Sequence, residues 1–402
     1  MVHQMIPMNN SPAPRASINN SAMVQSLRWW CVALIVGMLG ACGSAPVLNP
    51  SPASSSSVSR PALPLPPVAQ PGGTSASRGR WTTVAWSELP GFEEDNLFEA
   101  WNAWIKSCER PGTVFASYCG DVRRLSIATG EQQRDWMRLH FQPQRLESQQ
   151  GDPSGLLTGY FEPQLDASRL PTAQFTVPIY QLPRSLAQRK PWFNRREIDT
   201  LPEAQAALRD RVLAYVADPV DALVLQIQGS GRLRLLQPDG TSQLVRVAYA
   251  GTNDQPYRSV GRWLLDQGLV KDASWPGIKA WLAQNPRRQQ ELLWSNPRVV
   301  FFKEEPLSDL DAGFGPRGAQ GVALTPGRSI AVDPGSIPYG TPVWLVSAGG
   351  QTKLQRLVLA QDTGSAINGA VRADYFAGWG AEAQELAGRL RQPLQMWVIW
   401  PK

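Results

Sequence analysis

Residues 361–388 read QDTGSAINGAVRADYFAGWGAEAQELAG, and this stretch near the end of the chain is the most informative about the fold. It follows an apolar run, LVLA, which is typical of a buried strand, and Gly and Asn then divide it into short pieces. Two carboxylates, Asp362 and Asp374, lie in this Gly-rich setting. We therefore expect strand ends and turns that carry candidate catalytic carboxylates.

The rest of the chain from Gly151 onward has the same texture, with short β-rich runs between Gly, Pro, Asn and Asp. Strands without regular intervening helices predict a mainly β fold of barrels or sandwiches. The predicted strand runs are LLTGYFEP (156–163), TVPIY (176–180), ALVLQIQGSG (222–231), RLRLLQPDG (232–240), QLVRVAYAGTN (243–253), RVVFFKEE (298–305), SIAVDP (329–334), PVWLVSA (342–348), LQRLVLAQD (354–362) and QMWVIWPK (395–402). A hairpin turn is expected at 237–240.

A few peripheral helices are expected as well. Helical signatures are found in 86–108, 131–140, 259–267 and 277–284. In the first of these, Phe98, Trp101 and Ile105 recur at helical spacing, behind an acidic first turn of Glu93, Glu94 and Asp95.

Histidine is scarce, since the chain has only His3 and His140. This count argues against Ser–His–Asp or Cys–His catalysis and against most zinc sites, so neither a metal nor a cofactor is expected. The net charge of +6 is mild and no Lys/Arg-dense stretch is present, so nucleic acid is not an expected partner.

The N-terminus has the pattern of an export signal. The apolar run 29–39 follows Arg28 and is too short for a transmembrane helix of ~20 residues. It ends in LGAC, which resembles the lipobox of bacterial lipoproteins and implies a signal peptide over 1–41 with lipid on Cys42. The alternative is an ordinary signal peptide with a chance cysteine. The lipobox reading places the protein at the outer membrane, facing the periplasm, with 42–80 as a Ser/Pro-rich tether.

Cys108 and Cys119 could form a disulfide in such an oxidising compartment, and two free buried thiols are the alternative.

Three aspartates lie in turn-like sequence settings. Asp333 precedes Pro-Gly and is expected to form a turn. Asp362 opens a DTG triad, but an aspartic peptidase needs a second such triad and the chain has one. Asp374 lies among Tyr375 and Phe376, where desolvation raises the pKa of a carboxyl and suits a general acid; pairing with Arg372 is the alternative.

Aromatic residues are the second functional clue, with 16 Trp in the chain. Tyr160, Tyr257 and Trp379 lie in Gly- or Pro-containing segments, where flat rings could stack on sugar faces. Each could equally be a packed barrel residue.

In their order along the chain, the segments TGYFEP, LQIQGSG, VAYAGTNDQPYRSVGR, AVDPGSIPYGTPVW and 361–388 resemble the membrane-bound lytic transglycosylase A family. The resemblance implies a six-stranded double-psi β-barrel catalytic domain, formed by 81–157 and 298–402. A second β-rich domain, 158–297, is inserted into it, and the substrate groove runs between the two domains.

The resemblance also implies the reaction. The family cleaves the β-1,4 bond from N-acetylmuramic acid to N-acetylglucosamine in peptidoglycan glycan strands, and the muramoyl C6 hydroxyl closes a 1,6-anhydro ring. An internal nucleophile leaves one carboxyl to act as acid and base. The motif match assigns this role to Asp374 and a supporting role to Asp362.

By the same match, the groove-lining residues are Gly159, Tyr160, Gln228, Gly229, Ser230, Gly231, Tyr249, Gly251, Thr252 and Asn253, with Trp379 as a stacking candidate. Ser365 and Asn368 differ from the family pattern and could alter a sugar or peptide contact. The alternative function is a non-catalytic peptidoglycan-binding lipoprotein. Other cell-wall remodelling proteins are possible partners.

Overall fold

The computed structural model describes residues 79–349 and 352–402. The signal peptide (1–41), Cys42 and almost all of the predicted tether lie outside these residues. The strands are β1 (Arg80–Thr83), β2 (Phe141–Glu147), β3 (Gly155–Glu162), β4 (Gln164–Ser168), β5 (Val177–Tyr180), β6 (Val212–Val216), β7 (Ser230–Leu236), β8 (Ser242–Thr252), β9 (Val300–Glu305), β10 (Ser329–Val332), β11 (Pro342–Gly349), β12 (Thr352–Asp362), β13 (Arg372–Trp379) and β14 (Arg391–Pro401).

The helices are mostly short. They are α1 (Leu97–Ser107), α2 (Cys119–Arg124), α3 (Gly130–His140), α4 (Arg195–Thr200), α5 (Pro202–Leu208), α6 (Pro219–Gln228), α7 (Val260–Asp266), α8 (Trp275–Gln284), α9 (Gln289–Trp294), α10 (Asp309–Ala312) and α11 (Gly380–Arg389). Within the described part of the chain, no helix is both long and apolar enough to cross a membrane.

One of the two β structures in the fold is a closed barrel. The sheet order is β1–β2–β14–β11–β12–β10–β13–β3, and a further β14–β3 pairing closes the last six strands into a ring. Strand β14 makes this possible because its first residues, 391–394, pair with β3 and its last residues, 397–401, pair with β2. The inward residues alternate along each strand, as in Ile330 and Val332 or Ala373 and Tyr375, and fill the interior. The expectation of a mainly β fold with a barrel is confirmed.

A second sheet of six strands, in the order β5–β6–β4–β7–β8–β9, forms the other β structure. Strands β7 and β8 are an antiparallel hairpin joined at 237–240, as the turn signal predicted. One face of this sheet is covered by α6, whose Ala222 and Leu225 pack on Leu233 and Val247.

The chain passes from the barrel to the second sheet and back at residues that differ from the predicted domain boundaries. The predicted boundary between 157 and 158 falls inside β3, which pairs with β13 and β14 of the barrel through residue 162. The boundary between 297 and 298 falls before β9, which pairs with β8 of the second sheet. Pairing therefore assigns 164–305 to the second sheet and its helices.

The opening helical segment is shorter than predicted. Two 3₁₀ turns precede α1, and Asn96 caps the helix by accepting from the Phe98 amide, so Glu93 and Glu94 lie before the helix. Trp101 is fully buried, whereas Phe98 is 59% exposed and does not belong to the core. The buried stripe of α1 passes through Leu97, Ala100, Trp101 and Trp104, so Phe98 is on its solvent side.

The run 222–231 is also different from the prediction, because most of it is helix α6 and not a strand. Asp218 caps the helix and Pro219 occupies its first turn, which are helix-start signals. Its residues are apolar on most sides because the helix is buried, so no helical period is visible.

Cys108 and Cys119 form a disulfide that ties α1 to α2. This excludes the alternative of two free thiols.

Candidate active site

Asp374 lies within strand β13, and not in a turn as its sequence setting suggested. Its neighbours in the sheet are Thr158 on the parallel strand β3 and Ala331 on β10. Ala373 and Tyr375 are buried in the barrel, so strand alternation turns Asp374 to the outer face. The Thr158 hydroxyl donates to Oδ1 of Asp374 at 2.5 Å. A strand position with this hydrogen bond holds the carboxyl rigidly.

Burial raises the pKa of Asp374 above its usual range, while the hydrogen bond from Thr158 and the charge of Arg372 oppose the shift. The Arg372 guanidinium donates to the Thr158 hydroxyl at 2.8 Å and to the carbonyl groups of Leu156 and Ala373. Arg372 therefore acts on Asp374 by its charge and, through Thr158, by a chain of hydrogen bonds, and not by a direct hydrogen bond to the carboxylate as considered from the sequence.

Asp362 is the last residue of β12 and is held from two sides. The Tyr160 hydroxyl donates to Oδ2 at 2.9 Å, and the Ala319 amide donates to Oδ1 at 2.9 Å. Burial raises the pKa of Asp362; the hydrogen bonds oppose this shift, and the charge of Asp374 adds to it. The charge of Asp374 thus acts on Asp362, and the charges of both carboxylates act on Tyr160.

Tyr160 is hydrogen-bonded to Asp362 and lies in the electric field of both carboxylates. Its ring lies 5.2 Å from that of Phe376, and burial together with Asp362 and Asp374 raises its pKa well above the usual value. The phenol therefore remains a hydrogen-bond donor at any physiological pH.

Trp379 marks the junction of the barrel with the second sheet. The Arg232 guanidinium lies 3.7 Å from the centre of its ring. Arg232 and Arg246 each donate to Glu162, at 2.8 and 2.7 Å, and all three are nearly or fully buried. Both arginines also donate to the Phe314 carbonyl, in the segment that leads to Ala319.

Several predicted groove residues have packing roles in the structure. A Cβ atom on Gly159 would lie 2.7 Å from the Ala387 Cα, and one on Gly231 would lie 2.2 Å from the Leu225 side chain. Both glycines therefore permit close approach of a helix. Ser230 is buried.

Asn253 is fully buried and its amide is used by the backbone. Its Nδ2 donates to the carbonyls of Phe193 and Pro297, and its Oδ1 accepts from the Val299 amide. These contacts shape the loop and leave no polar atom of Asn253 for a ligand.

The remaining predicted residues lie near the surface. Tyr249 is 54% exposed. Gln228 accepts from the Phe161 amide, and Gly229 ends α6 with φ 79°. Gly251 is next to a register shift in β8, and the Thr252 hydroxyl accepts from the Asp254 amide. Ser365 and Asn368 are exposed.

Asp333 is a turn former, as predicted, since its carboxylate accepts from the amides of Gly335 and Gly369. A separate cavity of about 560 Å³, with Asp166, Asp218 and Asp221 in its wall, contains neither Asp362 nor Asp374. In 79–349 and 352–402, no three His, Cys, Asp or Glu side chains are grouped as a metal site would require.

Sequence reasoning missed Thr158, Arg372 as its partner, and the Ala319 amide. Thr158 is the first residue of the TGYFEP segment, and its parallel pairing with β13 is what brings it to Asp374. The Ala319 amide comes from a loop with no sequence signal for this role.

Fold and site together define a β-barrel protein with two largely buried carboxylates, Asp362 and Asp374, on neighbouring parts of its sheet. A family model described as the MltA specific insert domain matches residues 156–303, and the 3D domain model matches 328–400. The membrane-bound lytic murein transglycosylase A of Vibrio cholerae is 32% identical over 263 residues, which are 62% of this chain and 67% of the relative.

Solved structures agree. The lytic transglycosylase LtgG of Burkholderia pseudomallei is 41% identical, with a TM-score of 0.59, and the match covers 83% of this chain and 100% of that one. The Escherichia coli MltA structure with bound chitohexaose is 25% identical, with a TM-score of 0.66, over 82% of this chain and 96% of that one.

The chain belongs to the membrane-bound lytic murein transglycosylase A family. It is an enzyme of the lytic murein transglycosylase class, and murein is the peptidoglycan of the cell wall.

Proposed function

We propose that this enzyme cleaves the β-1,4 bond between N-acetylmuramic acid and N-acetylglucosamine with a single acid/base, Asp374. The observation that carries the proposal is a half-buried carboxyl whose pKa is raised by burial, on a rigid strand and next to a second carboxylate. A raised pKa keeps the group protonated closer to neutral pH, as a general acid requires.

In the first step, protonated Asp374 gives its proton to the glycosidic oxygen as the C1–O bond breaks. The carboxylate then takes the proton of the muramoyl C6 hydroxyl as that oxygen bonds to C1. The 1,6-anhydro ring is formed, no water is consumed, and Asp374 is protonated again. Asp362, held by Tyr160 and Ala319, supplies the electrostatic setting and does not exchange a proton.

The substrate is a glycan strand of peptidoglycan. The binding of chitohexaose by the Escherichia coli relative supports a β-1,4-linked sugar chain as the ligand. Tyr249 offers exposed aromatic surface for stacking, Trp379 offers the ring face opposite Arg232, and Gln228 offers an amide. Gly159, Gly231 and Asn253 would shape this surface from behind. We infer further that the barrel is of the double-psi class, which its mixture of parallel and antiparallel pairings supports.

A lipid anchor is supported by the N-terminal sequence pattern and by the word "membrane-bound" in the names of the relatives. Lipid on Cys42 would hold the enzyme at the outer membrane, facing the periplasm, with the following residues as a tether.

The test uses the full-length enzyme in detergent with purified peptidoglycan, and mass spectrometry of the released muropeptides. We expect anhydro-muropeptides from the wild type and none from Asp374→Asn. The variant should still bind the glycan strands of peptidoglycan. Binding by the wild type without any cleavage would favour the non-catalytic lipoprotein instead. If Asp362→Asn abolishes turnover and Asp374→Asn does not, the roles of the two carboxylates are reversed.

A further inference from the structure

Three residues form a short chain of hydrogen bonds that ends on Asp374. Nη2 of Arg372 donates to Oγ1 of Thr158 at 2.8 Å, and Oγ1 of Thr158 is 2.5 Å from Oδ1 of Asp374. The strand register keeps the last pair together, since Thr158 and Asp374 are directly paired residues of β3 and β13.

The direction of each hydrogen bond follows from the chemistry of the groups when Asp374 is ionised. A guanidinium has donors only, so the Thr158 oxygen must accept from Arg372. The single hydrogen of that hydroxyl is then free to point at Asp374, and Oδ1 is its acceptor. This direction is required while Asp374 is ionised, since a carboxylate can only accept. In the protonated state the second lone pair of the Thr158 oxygen could accept from Oδ1–H, so the direction there depends on which oxygen holds the proton.

We propose that Thr158, oriented by Arg372, is a positioning residue that determines which oxygen of Asp374 carries the transferable proton. Oδ1 is kept as an acceptor, and Oδ2 is the oxygen that gives the proton to the glycosidic oxygen and takes it back from the C6 hydroxyl. The inference rests on the proposed function and adds the identity of the reacting atom.

The charged and titratable groups that act on this carboxyl come from three strands. Arg372 lies on β13 with it, Tyr160 on β3 and Asp362 at the end of β12. Asp362 has its own donors in Tyr160 and Ala319. The hydrogen bond to Oδ1 is therefore specific to Thr158, and it can be removed without touching the donors of Asp362.

Thr158→Val keeps the shape of the side chain and removes the hydroxyl. We expect kcat on peptidoglycan to fall about 10- to 100-fold with KM nearly unchanged, which is the size of effect expected for one hydrogen bond to a charged group. The pKa of Asp374 should rise, because a donor to its ionised form is lost. The alkaline limb of the rate profile should move to higher pH, and a ¹³C-carboxyl titration should show the same shift without any substrate.

Thr158→Ser keeps the hydroxyl and should restore most of the rate and the wild-type pH profile. Thr200→Val is the matched control, since its hydroxyl donates to the Arg196 carbonyl on an exposed helix. It should leave both readouts unchanged. Thermal unfolding of every variant separates a loss of folding from a loss of positioning.

Arg372→Met tests the other end of the chain. We expect a smaller loss of kcat than for Thr158→Val, and the double variant should be no slower than Thr158→Val within about twofold, since both changes break one unit. Losses that multiply would overturn the proposal, because Arg372 would then act through its charge alone. So would a Thr158→Val enzyme with wild-type kcat and carboxyl titration. If Asp374→Asn is fully active, the proposed function has failed, and the carboxyl titration still tests the hydrogen bond.

Discussion

The Tyr160 hydroxyl is 2.9 Å from Oδ2 of Asp362, so that a residue of β3 and the last residue of β12 share one hydrogen bond across the outer face of the barrel. The same phenol lies in the field of Asp374. Tyr160 is therefore a hydrogen-bond donor to Asp362 that also lies in the electric field of Asp374.

Tyr160→Phe should slow turnover of peptidoglycan by about tenfold, because the ionised form of Asp362 loses a donor while the ring still packs on Phe376. The pKa of Asp362 should rise for the same reason. Steady-state rates on purified peptidoglycan measure the first effect. Tyr118→Phe, which removes a phenol from the aromatic cluster around Trp136 and Phe141, should leave the rate unchanged. Equal rates for wild type and Tyr160→Phe would show that Asp362 needs no such support.

Asp374→Asn should raise the melting temperature at neutral pH. The folded pKa of Asp374 lies above the unfolded value, so the ionised carboxyl opposes folding at any pH above the folded pKa. As the pH falls towards the unfolded value of about 3.9, the folded state takes up the proton and the penalty disappears. The difference between variant and wild type should therefore shrink to nearly zero in acid.

Asp239→Asn provides the opposite case. Hydrogen bonds from Thr241 lower the pKa of Asp239, so its carboxylate stabilises the fold above the unfolded pKa and this contribution is lost in acid. We expect a slightly lower melting temperature at neutral pH, converging with the wild type at low pH.

For the Asp374→Asn variant, a neutral-pH melting temperature below that of the wild type would contradict the burial of the Asp374 carboxyl.

Glu162→Gln should destabilise the protein by about 3–5 kcal/mol, because two buried arginines lose their shared counter-charge. Chemical unfolding measures the free energy. The matched control is Asp166→Asn, which removes the partner of Arg234 at the surface and should cost less than about 1 kcal/mol. If the two variants are equally stable, the buried cluster contributes no more than a surface pair.

Gly159→Ala should destabilise the protein by about 1–3 kcal/mol and lower kcat, since the new methyl group would press against the α11 backbone at Ala387 and displace β3. Gly388→Ala, in helix α11 itself, is the control, because nothing lies within 4 Å of the added carbon. It should stabilise the helix by about 0.5–1 kcal/mol. A stable Gly159→Ala protein with full activity would mean that α11 yields without cost.

Local pattern was sufficient to predict most strands and helix α3. The hairpin of β7 and β8 followed from its turn residues, and β14 from its apolar run. Helix α6 was predicted as strand because a helix buried on most sides shows no period, although Asp218 and Pro219 announced its start. Spacing alone did not tell which face of α1 is buried, since Trp101 is in the core and Phe98 is exposed.

The site was predictable only in part. Residue type and setting made Asp374 a candidate and the family resemblance added Asp362, but the hydrogen-bond partners of both come from elsewhere in the chain. Thr158 is paired with Asp374 by a parallel ladder between residues more than two hundred positions apart, and Ala319 by a loop. Such long-range pairings also close β14 on β3. None of them leaves a trace in a local pattern.

Strand β3 also limits where the chain can be spliced in a chimera with another family member. Alternate residues of this one strand serve three purposes: Thr158 donates to Asp374, Tyr160 donates to Asp362, and Glu162 binds the two arginines of the second sheet. A chimera that imports the second sheet from another family member should therefore be spliced after Pro163 and after Glu305. A splice at 157 would import foreign versions of all three residues, so that the hydrogen-bond partners of Asp362 and Asp374 would be exchanged together with the graft.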